Sequence, residues 1–193
     1  MWPTGPRIES EGDGGWRGGL GTKELMRRLI LLRHGKTERA SSSGRDFDRA
    51  LTARGRADAR LMGRVLAGRG LRVDRALVSA AARAVQTWDE AGPAFPGAEV
   101  EVTRALYEAD AAEVLSLAQA EPAECVLVVG HNPGLHELAQ SLAARDPQEE
   151  AVRRTLQAGL PTAAAAVFGF GDDGAVTVEG VFSPREFGGG AEG

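Results

Sequence analysis

Short apolar runs alternate with stretches of helical periodicity through most of this chain, and that alternation constrains its fold more than any other feature. The apolar runs are "RLILLR" (28–33), "RALVS" (75–79), "AEVEVT" (98–103), "CVLVVG" (125–130), "AAAVFGF" (164–170) and "AVTVEGV" (175–181). Their length and β-branched content predict strands. Between them the spacing predicts helices: one N-capped by Thr52 and running to about Ala67, one over Ala81–Ala91, one over Ala111–Ala120, and a short one over Glu149–Thr155. A further helix opens at "HNPGL", with Asn132 as N-cap, Pro133 at the first helical position, and Leu135, Leu138, Ala139 and Leu142 on one face. Strands that alternate with helices predict an α/β fold: a three-layer α/β/α sandwich with a mostly parallel central sheet. The last two runs are joined by "GDDG" and predict a hairpin that brings in one antiparallel strand. In the third run Val100 and Val102 alternate with Glu99 and Glu101, which predicts an edge strand or a half-buried one.

The 193 residues suffice for one domain with a sizeable core, expected over 26–187. Residues 1–25 include "EGDGGWRGGLG", are glycine-rich and aperiodic, and are expected to form a disordered tail. Met26 stands just before the first strand and is the expected biological start. Residues 188–193 are expected to be loose as well. The net charge of −4 argues against nucleic acid as a main partner. No apolar run approaches the ~20 residues that span a bilayer, and the N-terminus has no apolar leader. The single cysteine, Cys125, lies inside a predicted strand and reads as a core thiol. It excludes an internal disulfide and suits a reducing cytosol, so a cytoplasmic location is expected.

In an open parallel sheet, ligands bind beyond the carboxyl ends of the strands. Arg33 and His34 end the first strand, Ser79 ends the second with Arg83 one turn into the following helix, and His131 directly follows the fourth. Each of these residues alone is weak evidence, because polar residues are common at strand ends and a histidine there is often satisfied by backbone groups. Their convergence on one sheet edge is stronger. Two guanidiniums suit phosphate oxygens. They also disfavour a proton on a nearby imidazole, and a neutral imidazole is a nucleophile. A second imidazole can donate to a transferring phosphoryl group, and the helix start at "NPGL" adds positive field. Such a cluster supplies positioning and charge stabilisation without a metal. His136 lies about 140° around the helix from alignment with His131, so the two do not form a metal pair.

At these residues the chain resembles the histidine phosphatase (phosphoglycerate mutase-like) superfamily, and most of all its small phosphohistidine phosphatase branch. The resemblance rests on Arg33-His34-Gly35 with Thr37, and on Asp46, Arg49, Leu51, Thr52 and Gly55 in an Asp-x-x-Arg-Pro-Leu-Thr-x-x-Gly pattern whose proline is here Ala50. It continues through "SAAARAVQT" (79–87), "LYEA" (106–109), "VGHNPGL" (129–135) and "LPTAA" (160–164), and covers about residue 27 to 183. It implies that His34 takes the phosphoryl group as a phosphohistidine intermediate. Arg33, Arg83 and His131 would bind and polarise that group, water would release phosphate, and Glu108 would be the candidate proton donor. It implies no cofactor and no metal. The expected partner is a phosphorylated substrate, in the first place a protein carrying phosphohistidine, with no nucleic acid and no membrane. Two other readings stand beside it: a small-molecule phosphomonoesterase, and a catalytically silent module that binds phosphate or phosphoproteins. A binder, however, needs no nucleophile.

Overall fold

The computed structural model of the protein describes residues 26–146 and 148–190. The tail expected at 1–25 lies outside the described residues, as do 191–193. Gly188–Gly190 are described, and the Gly190 N–H donates to the Asp58 carboxylate at 2.9 Å.

The strands are β1 (Arg28–Arg33), β2 (Arg75–Ser79), β3 (Glu99–Thr103), β4 (Cys125–Gly130), β5 (Ala165–Phe170) and β6 (Val176–Phe182). The helices are α1 (Ala53–Gly68), α2 (Ala82–Ala91), α3 (Ala111–Ala120), α4 (Gly134–Ala143) and α5 (Glu150–Gln157). All six strands form one sheet in the order β3-β2-β4-β1-β5-β6. β1, β2, β3 and β4 are parallel, while β5 runs antiparallel to both β1 and β6. The expected sandwich is therefore present. β5 is the reversed strand, and its hairpin partner β6 closes the far edge.

Strand pleating explains why a run such as "LILL" must be apolar throughout. Successive side chains point to opposite faces, and here both faces are covered. Leu29 and Leu31 join the core beneath α3, α4 and α5, with Val114, Leu135, Leu138 and Phe168. Ile30 and Leu32 join the core beneath α1 and α2, with Met62, Leu66 and Ala84. Cys125 is buried in β4, and burial pushes its thiol up to about 12, as befits a core residue. β3 is an edge strand with Val100 and Val102 exposed.

α1 begins as expected: the Thr52 hydroxyl accepts from Gly55 N–H at 3.0 Å. α4 does not. It starts at Gly134 with Pro133 in the cap position, and the Asn132 side chain makes no cap. Its amide instead donates to the Leu160 carbonyl at 3.1 Å, a tertiary partner that wins over the local one. His136, on the same helix, is half-buried and bonds the C-terminal end of α5 through the Leu156 carbonyl at 2.6 Å.

Candidate active site

β1, β4 and β2 are neighbours, so the residues that follow them share one edge of the sheet. His34 is fixed there through its backbone: its N–H donates to the Gly130 carbonyl at 3.1 Å, and its carbonyl accepts from Ala163 N–H at 3.0 Å. Gly35 follows because nothing larger fits. A Cβ at that position would lie 2.5 Å from the Gly55 carbonyl oxygen. The Gly35 N–H donates to Thr87 Oγ1 at 3.0 Å, and that hydroxyl donates to the Arg83 carbonyl at 2.6 Å. The loop after β1 is thereby tied to α2, which carries Arg83.

The structure brings Arg33, His34, Arg83 and His131 together. The two imidazoles lie 5.1 Å apart between ring centroids. His34 Nδ1 is 2.8 Å from the Gly35 carbonyl. A carbonyl only accepts, so Nδ1 carries the hydrogen and Nε2 keeps a lone pair. Arg83 Nε donates to His131 Nδ1 at 3.2 Å, which places the His131 hydrogen on Nε2, donating to Ser79 Oγ at 2.7 Å. Arg33 is held by the Leu160 carbonyl at 2.8 Å, the same oxygen that receives Asn132. The Arg33 Nε–H is buried with no acceptor among the described residues. Such a donor recovers its desolvation cost when an anion arrives.

Sequence reasoning assigned no role to three further groups. The Asp46 carboxylate accepts from Arg83 at 2.9 Å, from Arg49 at 2.8 Å and from the Tyr107 hydroxyl at 3.3 Å. The Asp46 carbonyl accepts from Arg83 at 2.8 Å. Arg49 reaches on to the Thr37 hydroxyl. Tyr107 stands edge-on to the His131 ring at 5.7 Å. The signal for Asp46 and Arg49 was their spacing of three residues, which pairs side chains across one turn. Glu108 is exposed, with a left-handed φ of 64°, beside Tyr107. No hydrogen bond among the described residues joins it to Arg33, His34, Arg83 or His131. No cluster of three His, Cys, Asp or Glu side chains among the described residues is arranged to hold a metal ion. No helix among them is long and apolar enough to cross a membrane.

The electrostatics follow from burial and charge. Burial, then the charges of Arg83, Arg33 and Arg49, lower His34 to about 4. Burial, then His34 and Arg83, lower His131 to about 3. Burial also lowers Arg33. Both imidazoles are neutral at pH 7. A histidine whose folded value lies below its unfolded ~6.5 binds protons preferentially in the unfolded chain. The pair therefore costs nothing above about pH 6.5 and destabilises progressively as pH falls, towards about 4 for His34 and about 3 for His131. Urea unfolding should show His34 alone removing on the order of 3 kcal/mol by pH 4. The His34→Asn variant should lack that share. Parallel pH curves for the two proteins would show that the ring is not held neutral.

A sequence profile of the histidine phosphatase superfamily (branch 1) matches residues 29–124. Among solved structures, SixA from Agrobacterium tumefaciens, described as a candidate phosphohistidine phosphatase, is 31% identical with a TM-score of 0.73; the match covers 83% of this chain and 100% of that one. SixA from Nakamurella multipartitia, described in the same way, is 31% identical with a TM-score of 0.68, covering 82% of this chain and 96% of that one. The protein histidine phosphatase SixA in complex with tungstate is 28% identical with a TM-score of 0.66, covering 83% and 99%. A search of curated proteins found no match. The chain belongs to the histidine phosphatase superfamily. Within it, three solved structures that resemble it at 28–31% identity are SixA proteins.

Proposed function

We propose that this protein is a metal-independent phosphatase that removes phosphate from protein phosphohistidine through a covalent intermediate on His34. The observation that carries this reading is the commitment of His34 Nδ1–H to the Gly35 carbonyl. It leaves the Nε2 lone pair beside two guanidiniums, where a phosphoryl group would be held for attack. Arg33 would bind that group through its unpaired Nε–H. An incoming phosphoryl anion favours a proton on His131 Nδ1. His131 and Arg83 Nε–H would then turn from each other to the same oxygens. Water would release phosphate from His34. The substrate class is supported by the likeness to SixA proteins, one of which holds tungstate, a tetrahedral oxyanion like phosphate.

The test is a parallel assay of a phosphohistidine protein, a phosphoserine peptide and sugar phosphates, with and without chelator. Turnover of the phosphohistidine protein should be fastest and unchanged by the chelator. Preferred hydrolysis of sugar phosphates would assign a small-molecule phosphomonoesterase, and binding without turnover would assign a silent module. Glu108 remains the candidate proton donor for substrates that need one. An alkyl phosphate needs it more than phosphohistidine, whose leaving group departs readily. Glu108→Gln is thus expected to slow alkyl phosphates several-fold more than phosphohistidine; equal effects would remove Glu108 from the chemistry.

A further inference from the structure

Asp46 opens a single turn of 3-10 helix, Asp46–Asp48, in the connection between β1 and α1, and its carboxylate is bonded directly to the basic cluster. An ionised carboxylate offers about four lone-pair sites. Arg83, Arg49 and the Tyr107 hydroxyl fill three of them. The Asp46 side chain is 51% exposed, and Oδ1 accepts from Arg49 alone among the described residues. His34 is only 8% exposed. His34 is thus the buried member of the cluster and Asp46 the exposed one, on the side from which a substrate can arrive and a displaced group depart. The hydrogen bond from Arg49, and then the charge of Arg83, hold the Asp46 carboxyl below its ordinary value. Asp46 is therefore a fixed acceptor at neutral pH and cannot deliver a proton.

Building on the phosphohistidine reading above, we propose that Asp46 accepts the ring N–H of the departing imidazole and thereby selects N-phosphorylated imidazoles over phosphate esters. Phosphohistidine reacts with its second ring nitrogen protonated. The His34 Nε2–P bond forms as the substrate's P–N bond breaks, and the electron pair stays on the substrate nitrogen. A neutral imidazole leaves with the N–H it already carried, so no proton has to be supplied. A carboxylate on that exposed side favours that cationic ring in the ground state and steadies its N–H as it departs. The same carboxylate disfavours an alkoxide or phenoxide, whose negative charge would grow beside it.

The Asp46→Asn variant tests this with two small probes, phosphoimidazole and 4-nitrophenyl phosphate, the second having a leaving group with no N–H. The amide keeps one acceptor oxygen where Arg83 and Arg49 now use two, so kcat/KM should fall on both probes, and loss of a hydrogen bond to a charged group should make the fall about 10–100-fold larger for phosphoimidazole than for the ester. Asp46→Ala also frees Arg83 and should lower both, yet the ratio between the probes should still fall at least about tenfold. An equal loss on both probes in either variant would make Asp46 a support for Arg83 alone and overturn the proposal, as would no loss on phosphoimidazole. A wild-type protein that hydrolyses the ester and leaves phosphoimidazole untouched would overturn the phosphohistidine reading itself, before any variant is compared.

Discussion

His34→Ala is expected to lower kcat on a phosphohistidine protein by at least about 10⁴-fold, because a covalent route loses its only nucleophile. Denatured wild-type enzyme quenched during turnover should carry phosphate that is labile in acid and stable in base, located on His34, and the variant should carry none. The fold should survive the change. Among the described residues the His34 side chain makes one hydrogen bond, to the adjacent Gly35 carbonyl, while its backbone bonds to Gly130 and Ala163 do not involve the ring. Removal also deletes a histidine that is costly to protonate, so the variant should resist acid better than the wild type. Full turnover by His34→Ala would end the covalent mechanism. Loss of activity together with loss of folding is the outcome the backbone geometry argues against.

The second large effect is expected at Arg83. Its guanidinium holds three partners at once: Nε to His131, one terminal nitrogen to the Asp46 carbonyl and the other to the Asp46 carboxylate. That planar fork is a property of arginine and not of charge alone. Arg83→Met should lower kcat/KM by about 10²–10³-fold or more, the range seen when a preorganised donor to developing charge is removed. Arg83→Lys should restore little of it. In both variants inorganic phosphate should bind more weakly as a product inhibitor. Substantial rescue by lysine would show that the site needs only a positive charge at this position. A near-normal Arg83→Met would remove Arg83 from phosphate binding altogether.

The parts of this site that were legible in the sequence are those whose position follows from strand ends. Arg33, His34 and His131 each end or follow an apolar run, and a parallel sheet brings such ends to one edge. Arg83 was legible because it follows the end of β2 by four residues, although it stands at the very start of α2 and not one turn into it. The hairpin was legible from "GDDG", but its placement was not. Nothing local shows that β5 inserts beside β1 and leaves β6 outermost, since that choice is made by packing both faces of Phe168 and Val167 into opposite cores. Asp46 belongs to a recognisable pattern, but that pattern alone gives it no function. Its partners Arg83 and Tyr107 lie 37 and 61 residues away in the chain, a proximity that only the folded structure creates. Asn132 was misread for the same reason. Its local cap geometry was plausible, and a carbonyl 28 residues further on displaced it.

The Leu160 carbonyl accepts from both Arg33 and Asn132, and three residues later Ala163 N–H meets the His34 carbonyl. The segment entering β5 is thus stitched to the ends of β1 and β4 within four residues. The hairpin at the other end of β5 is tied only to exposed groups away from the site: Phe170 N–H donates to the Arg27 carbonyl, the Arg27 side chain pairs with Asp172, and Arg145 donates to the Gly174 carbonyl at 2.8 Å. The two ends of one strand therefore differ in how freely the chain can be lengthened. A few residues added between Gly171 and Gly174 would extend a surface turn. The same residues added between Leu160 and Ala163 would displace His34. For a tag, a reporter or a graft onto this scaffold, the hairpin tip is the place to build.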